Sequence, residues 1–221
     1  MTPQISVLVT SHNSDQLLVS ALDSIYRQTI NAAEVLIVDA GSELPTETLL
    51  SSYPHKQRVF RESLGGLGAA LNFGIAHAKH DLIAPLDHDD YWPNDKLEWQ
   101  RRLLIKEGAD VVVGSVVNEW LYPTGKTRRD FMGIARLLGS CLIHKRAFEI
   151  VGPFEEGSQI HEIIEWWSRA GSRLKVVTDP RVALYRRIHG KNMTLNTGER
   201  KRADLIARVR THIQQQDPHA R

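Results

Sequence analysis

Three short apolar runs, each ending on a hydroxyl or a carboxylate, constrain this chain most. Residues 5–10 close on Thr10, Glu34–Asp39 on Asp39, and Leu82–Asp87 on Asp87. Each run is rich in Val, Ile and Leu, as a strand buried on both faces requires. Between the first two, Leu17, Leu18, Ala21, Leu22 and Ile25 recur at helical spacing. Strands alternating with helices predict an α/β fold with a mostly parallel, Rossmann-like sheet and helices on both faces. Ligands of such sheets bind beyond the carboxyl ends of the strands, where Thr10, Asn13, Asp39 and the acidic stretch 87–90 all fall.

That acidic stretch, Asp87-His88-Asp89-Asp90, is the most pointed chemical signal. In extended chain, Asp87 and Asp89 leave on the same face and can share one hard cation through oxygen ligands. A cation held by one or two carboxylates keeps positions open for phosphate oxygens, which implies a nucleoside diphosphate partner. The competing reading is a turn before a helix N-terminus, since Asp95-Lys96-Leu97 opens a helical pattern. Taken alone the triplet favours the turn, and its place at a strand end shifts the balance.

Further strands are expected at residues 58–60, 109–117, 140–144 and 182–185, and helices at 47–50, through Leu97, Leu103 and Leu104, and at 160–170. The stretch 65–76 is glycine-rich, but the Gly66 and Gly68 pair lacks a third glycine at dinucleotide-binding spacing, so an NAD site is not expected. Its small residues suit close helix packing and phosphate approach about equally. The basic stretch 124–130 reads as a solvated hairpin tip. Residues 198–216 carry Leu205, Ile206, Val209 and Ile213 at helical spacing and predict an amphipathic C-terminal helix, packed on this domain or on a second copy in a homo-oligomer.

A net charge of +2 is too mild to announce a nucleic-acid partner. No run approaches the roughly 20 apolar residues of a membrane span, no signal peptide is visible, and the lone Cys141 suits a reducing compartment. A cytoplasmic location is expected.

In order and spacing, several segments together resemble the family 2 glycosyltransferases of GT-A fold, over about residues 5–194. They are 6–13 (SVLVTSHN), 38–42 (VDAGS), 66–75 (GLGAALNFGI), 86–90 (LDHDD), Gly152-Pro153-Phe154, and 187–192 (RIHGKN). The resemblance implies transfer of a sugar, hexosyltransferase-type, from a nucleotide-diphospho-sugar, a UDP-sugar above others, to an acceptor the sequence does not identify. It implies a donor pocket lined by Thr10, Asn13, Asp39 and Gly66, with Asp87 on the ribose side and Asp89 holding Mn2+ or Mg2+. His189 and Arg187 would meet the diphosphate or the metal. Residues 1–197 would form the GT-A domain, with 1–118 as the nucleotide-sugar half and 119–197 as the acceptor half, and 198–221 would be a helical tail.

The departures matter too. Ala40 and Leu71 replace an acidic and a basic residue usual in the family, and the acidic pair before the aromatic helix is Glu162-Ile163, with the usual base position apolar. Glu165 has a ready ion-pair partner four residues on in Arg169. Glu162, assisted by His161, is therefore the expected catalytic base. The alternative is a regulatory module that binds nucleotide sugar and has lost transfer.

Overall fold

The computed structural model describes residues 2–61, 65–157, 161–190 and 192. The strands are β1 (Ile5–Ser11), β2 (Glu34–Asp39), β3 (Arg58–Arg61), β4 (Leu82–Asp87), β5 (Val111–Leu121), β6 (Thr127–Ile134), β7 (Cys141–His144) and β8 (Val176–Ile188). The α-helices are α1 (Gln16–Tyr26), α2 (Thr46–Leu49), α3 (Leu67–His77), α4 (Lys96–Glu107), α5 (Arg146–Val151) and α6 (Glu162–Ala170). Lys191 and the predicted C-terminal helix lie outside the described residues.

All the strands belong to one sheet of order β3-β2-β1-β4-β7-β5-β6, with β8 on the other side of β5. The expected parallel core is β3-β2-β1-β4. Beyond β4 the sheet is mixed: β7 runs antiparallel to both β4 and β5, and β6 is antiparallel to β5, while β8 is parallel to it. β6 was not expected as a strand, and β8 starts six residues before its predicted 182, because partners on β5 supply hydrogen bonds that the local pattern does not advertise.

Alternation along β1 divides the core. Ile5, Val7 and Val9 face a layer containing Leu18, Leu22 and Ile25 of α1 and Leu97 and Leu104 of α4. Leu8 faces Ala70 and Leu71 of α3 and, farther along, Phe148 and Trp166 of α5 and α6. Helices therefore cover both faces, as the sequence predicts. The small residues of α3 serve packing at Gly74, where a Cβ would come within 2.2 Å of Leu8 Cδ1. Asp15 caps α1 by accepting from the Leu17 amide at 3.0 Å. Among the described residues no helix is long and apolar enough to cross a membrane.

Candidate active site

The carboxyl ends of β1, β2 and β4 lie side by side, since Thr10 registers with Asp87 and Ser11 with Asp39. Three clusters of the expected residues gather there and beside α3.

The first is the acidic stretch. Ligand atoms of Asp87, Asp89 and Asp90 all lie within 4.8 Å of one another, an oxygen set suited to a hard divalent cation. Thr10 Oγ1 donates to Asp87 Oδ1 at 3.1 Å. Asp89 Oδ2 stands 3.1 Å from His189 Nε2 and accepts from Asn192 Nδ2 at the same distance. Asp90 Oδ1 accepts from the Arg187 backbone amide at 2.8 Å. Burial, and then the charges of Asp89 and Asp87, push the Asp90 carboxyl well above the usual range. Asp87 is raised too, by the protein crowding its carboxyl group and by the Asp89 charge. Like charges packed this closely are costly without a counter-ion. The residues present thus fit a bound divalent metal.

Arg187 departs from expectation. Its guanidinium is not presented to a diphosphate: the residue is 7% exposed and lies over the Tyr91 ring at 4.5 Å. It donates to the Asp89 carbonyl at 3.3 Å and to Ser20 Oγ, with the Glu119 carboxylate 3.9 Å away. Burial lowers its pKa, as for any cation drawn out of water. These contacts tie it to the acidic loop, to α1 and to β5. Tyr91 exchanges two backbone hydrogen bonds with Tyr185, at 3.1 and 2.9 Å, and the two rings stack at 4.8 Å. β8 thus carries the underside of the loop, and His189 and Asn192 follow it to Asp89. Asp90, Asn192 and Glu119 were not singled out by the sequence, although Asp90 and Asn192 stand inside quoted motifs.

The second cluster surrounds Asp39. Its carboxylate is fully buried and accepts from Ser42 N at 2.9 Å, Ser42 Oγ at 2.5 Å, Thr46 N at 3.1 Å and Thr46 Oγ1 at 2.8 Å. Burial pushes its pKa up, but these four donors outweigh that and hold it below the usual value. Asp39, expected to meet a base or ribose, fixes the β2–α2 loop through these four contacts. Asn13, the one described non-glycine residue with positive φ (49°), is locked to the same loop: its amide donates to Ser42 Oγ at 2.8 Å and its Oδ1 accepts from Glu43 N at 2.9 Å.

The third cluster joins α3 to the stretch before α6. Gly66 precedes α3 with φ 100°. Asn72 donates to the Phe154 carbonyl and accepts from the Phe154 amide, at 2.9 and 2.8 Å. At Gly68 a Cβ would stand 2.1 Å from the Glu155 carbonyl oxygen and 3.5 Å from Glu162 Cβ. Only a glycine lets these segments close. Glu162 is 1% exposed in the first turn of α6, directly after His161. Ile163 packs against the apolar layer. Glu165 pairs with Arg169 as expected, and Arg169 also holds the Val151 and Pro153 carbonyls. The structure therefore ties Glu162 to α3 and the carboxylate trio to β8.

Residues 6–163 match the model of the family described as glycosyl transferase family 2. An uncharacterized glycosyltransferase of Rickettsia typhi is 28% identical over 212 residues, covering 87% of this chain and 66% of that protein. A UDP-Gal:alpha-D-GlcNAc-diphosphoundecaprenol beta-1,3-galactosyltransferase of Escherichia coli is 34% identical over 132 residues, 56% of this chain and 47% of that one. Among solved structures, S. aureus TarS 1-349 in complex with UDP-GlcNAc superposes with a TM-score of 0.74 at 16% identity, over 96% of this chain and 66% of the other. The chain spans no more than 66% of the length of any of these three proteins.

Proposed function

The chain belongs to glycosyl transferase family 2, and from that premise we propose that it transfers a sugar from a nucleotide-diphospho-sugar, a UDP-sugar first, to an acceptor hydroxyl in a divalent-metal-dependent reaction. One observation carries the reading: three mutually repelling carboxylates gathered at the end of β4, with His189 and Asn192 aimed at one of them. Mn2+ or Mg2+ held by Asp89 and Asp87 would neutralise the diphosphate as it leaves.

The chain's own residues do the rest. Thr10 orients Asp87, and Arg187, from below, fixes the height of the acidic loop. His189 and Asn192 set the Asp89 carboxylate. The Asn13 and Asp39 loops wall the donor side, and the nucleotide lies between them and the acidic stretch, with Gly66 on the α3 side. Glu162, with His161 beside it, is the general base for the acceptor hydroxyl. In this reading residues 1–118 hold the donor and 119–197 face the acceptor, and the reaction runs in the cytoplasm, where the buried thiol of Cys141 stays reduced.

A second reading, a nucleotide-sugar-binding module without transfer, draws on Ile163 at the usual base position. A screen of UDP-, GDP- and dTDP-sugars separates the two. Mn2+-dependent thermal stabilisation together with donor hydrolysis supports transfer. Stabilisation without turnover supports the module, and neither effect with any donor overturns both.

A further inference from the structure

The outer edge of the sheet carries an apolar strip that the sugar-transfer reading does not use. Seven large hydrophobic residues are exposed among those described, and four of them, Tyr122, Phe131, Met132 and Ile134, lie within the β5–β6 hairpin. Phe131, at 68%, is the most exposed of all. Concentration of this kind marks an interaction surface, since single exposed apolar residues are ordinarily scattered.

A β-bulge organises the strip. Phe131 registers with Val117, but Gly133 registers with Val116 and Ile134 with Ser115, so Met132 is the extra residue. Paired residues share a face, and Ser115 and Val117 stand two apart on β5, so Phe131 and Ile134 emerge on the same face. Three apart on a regular strand, they would point to opposite faces. Arg129, opposite Glu119, belongs to that face as well and donates to Tyr91 Oη at 3.0 Å, which links the strip to the acidic loop.

The charge around the strip selects its partner. From Glu119 to Arg136, two residues past the end of β6, four cations, Lys126, Arg128, Arg129 and Arg136, outnumber Glu119 and Asp130. All four cations are exposed. Arg129 is bridged to Glu119 and Arg128 to Asp130, which leaves Lys126 and Arg136 with no carboxylate partner in the hairpin. Pairing of β6 with β6 of a second copy is opposed by these cations and by the bulge, both devices that protect an edge strand from pairing. Exposed Phe, Met and Ile rimmed by Lys and Arg match an anionic lipid surface, where apolar side chains enter the headgroup boundary and cations meet phosphate.

We propose that the β5–β6 hairpin is a docking strip for an anionic membrane surface, with Phe131, Met132 and Ile134 as the inserted residues. This stands independently of sugar transfer. Flotation of the full chain with vesicles of phosphatidylcholine alone, and with added phosphatidylglycerol, tests it. The expected result is binding to the anionic vesicles only, weakened about tenfold or more by 0.5 M salt, and lost in Phe131→Glu/Ile134→Glu while thermal unfolding is unchanged. Should that variant not fold, hydrogen exchange on the parent chain decides, with vesicle-dependent protection of residues 122–134 expected. Binding that survives the double substitution, protection elsewhere alone, no binding at all, or a concentration-dependent dimer abolished by the same substitutions would each overturn the proposal.

Discussion

Two carboxylate regions stand at the ends of β2 and β4, the strands on either side of β1, and have been given opposite treatment. Asp39, at the end of β2, receives four hydrogen bonds from its own loop and is held below the usual carboxylate range. Asp87, Asp89 and Asp90, at the end of β4, crowd one another, and two of them are pushed upward. A carboxylate that the chain itself satisfies is part of the scaffold. A set left electrostatically unfinished by the same chain, on the same edge of the same sheet, is built to receive something positive.

The largest effect that could break this contrast is at Asp89. Asp89→Asn should weaken Mn2+-dependent binding of a nucleoside diphosphate by about 100-fold or more, with the fold intact, as calorimetry would show. Unchanged affinity would make the acidic trio a structural turn after all. Next comes Glu162, a carboxylate outside both regions. Glu162→Gln should keep donor binding and lose transfer by about 10²- to 10⁴-fold, and transfer at the parental rate would remove it as the base.

Asp39→Ala sharpens the other side of the comparison. It strands the buried Ser42 and Thr46 amides, so urea denaturation should show a loss of about 3 kcal/mol, whereas a loss under about 0.5 kcal/mol would mean water replaces the carboxylate without penalty. Asp39 also predicts acid sensitivity. Its folded pKa is depressed, so its contribution is present above the unfolded value and fades as pH falls through the folded one.

The smallest effect concerns a charge treated halfway. Lys96 is fully buried, donates to the Cys141 carbonyl at 2.9 Å, and lies 4.1 Å over the Trp92 ring. Burial brings its pKa down to about 7 from 10.5. Between those values the unfolded chain holds a proton that the folded chain does not, so stability should rise with pH. Over pH 7 to 8.5, below the range in which the Cys141 thiol, raised to about 11, enters, the parent should gain about 1 to 2 kcal/mol relative to Lys96→Met. Parallel pH profiles for the two proteins would contradict this.

The same contrast explains what was legible in the sequence. β1, β2, β4 and the trio at the end of β4 were readable because a strand buried on both faces writes itself as a continuous apolar run. The pairing of Glu165 with Arg169 was readable because it is local. For Arg187 the sequence shows only a basic residue in a motif, whereas its packing over the Tyr91 ring depends on strands and rings far away in the chain. The hairpin-tip reading of 124–130 does not extend to a strand because β6, TRRDFMGI, leaves apolar residues exposed and lacks the alternation of a half-buried strand. Asp39 could be placed from sequence at the right strand end, but the four donors that occupy it come from a loop whose shape no local pattern specifies.

The supports of the acidic loop are among the most distant in the chain: Arg187 is 97 residues from Asp90, His189 is 100 from Asp89, and Asn192 is 103. At synthesis rates of about 5–20 residues per second, the carboxylates leave the ribosome some 5 to 20 seconds before the residues that hold them. The parallel strands β1, β2 and β4 can pair in that interval, but the loop above them stays unanchored until β8 arrives. Site assembly is thus timed to the end of the domain, and a nascent chain stalled before residue 185 would carry a formed sheet with an acidic loop still without its frame.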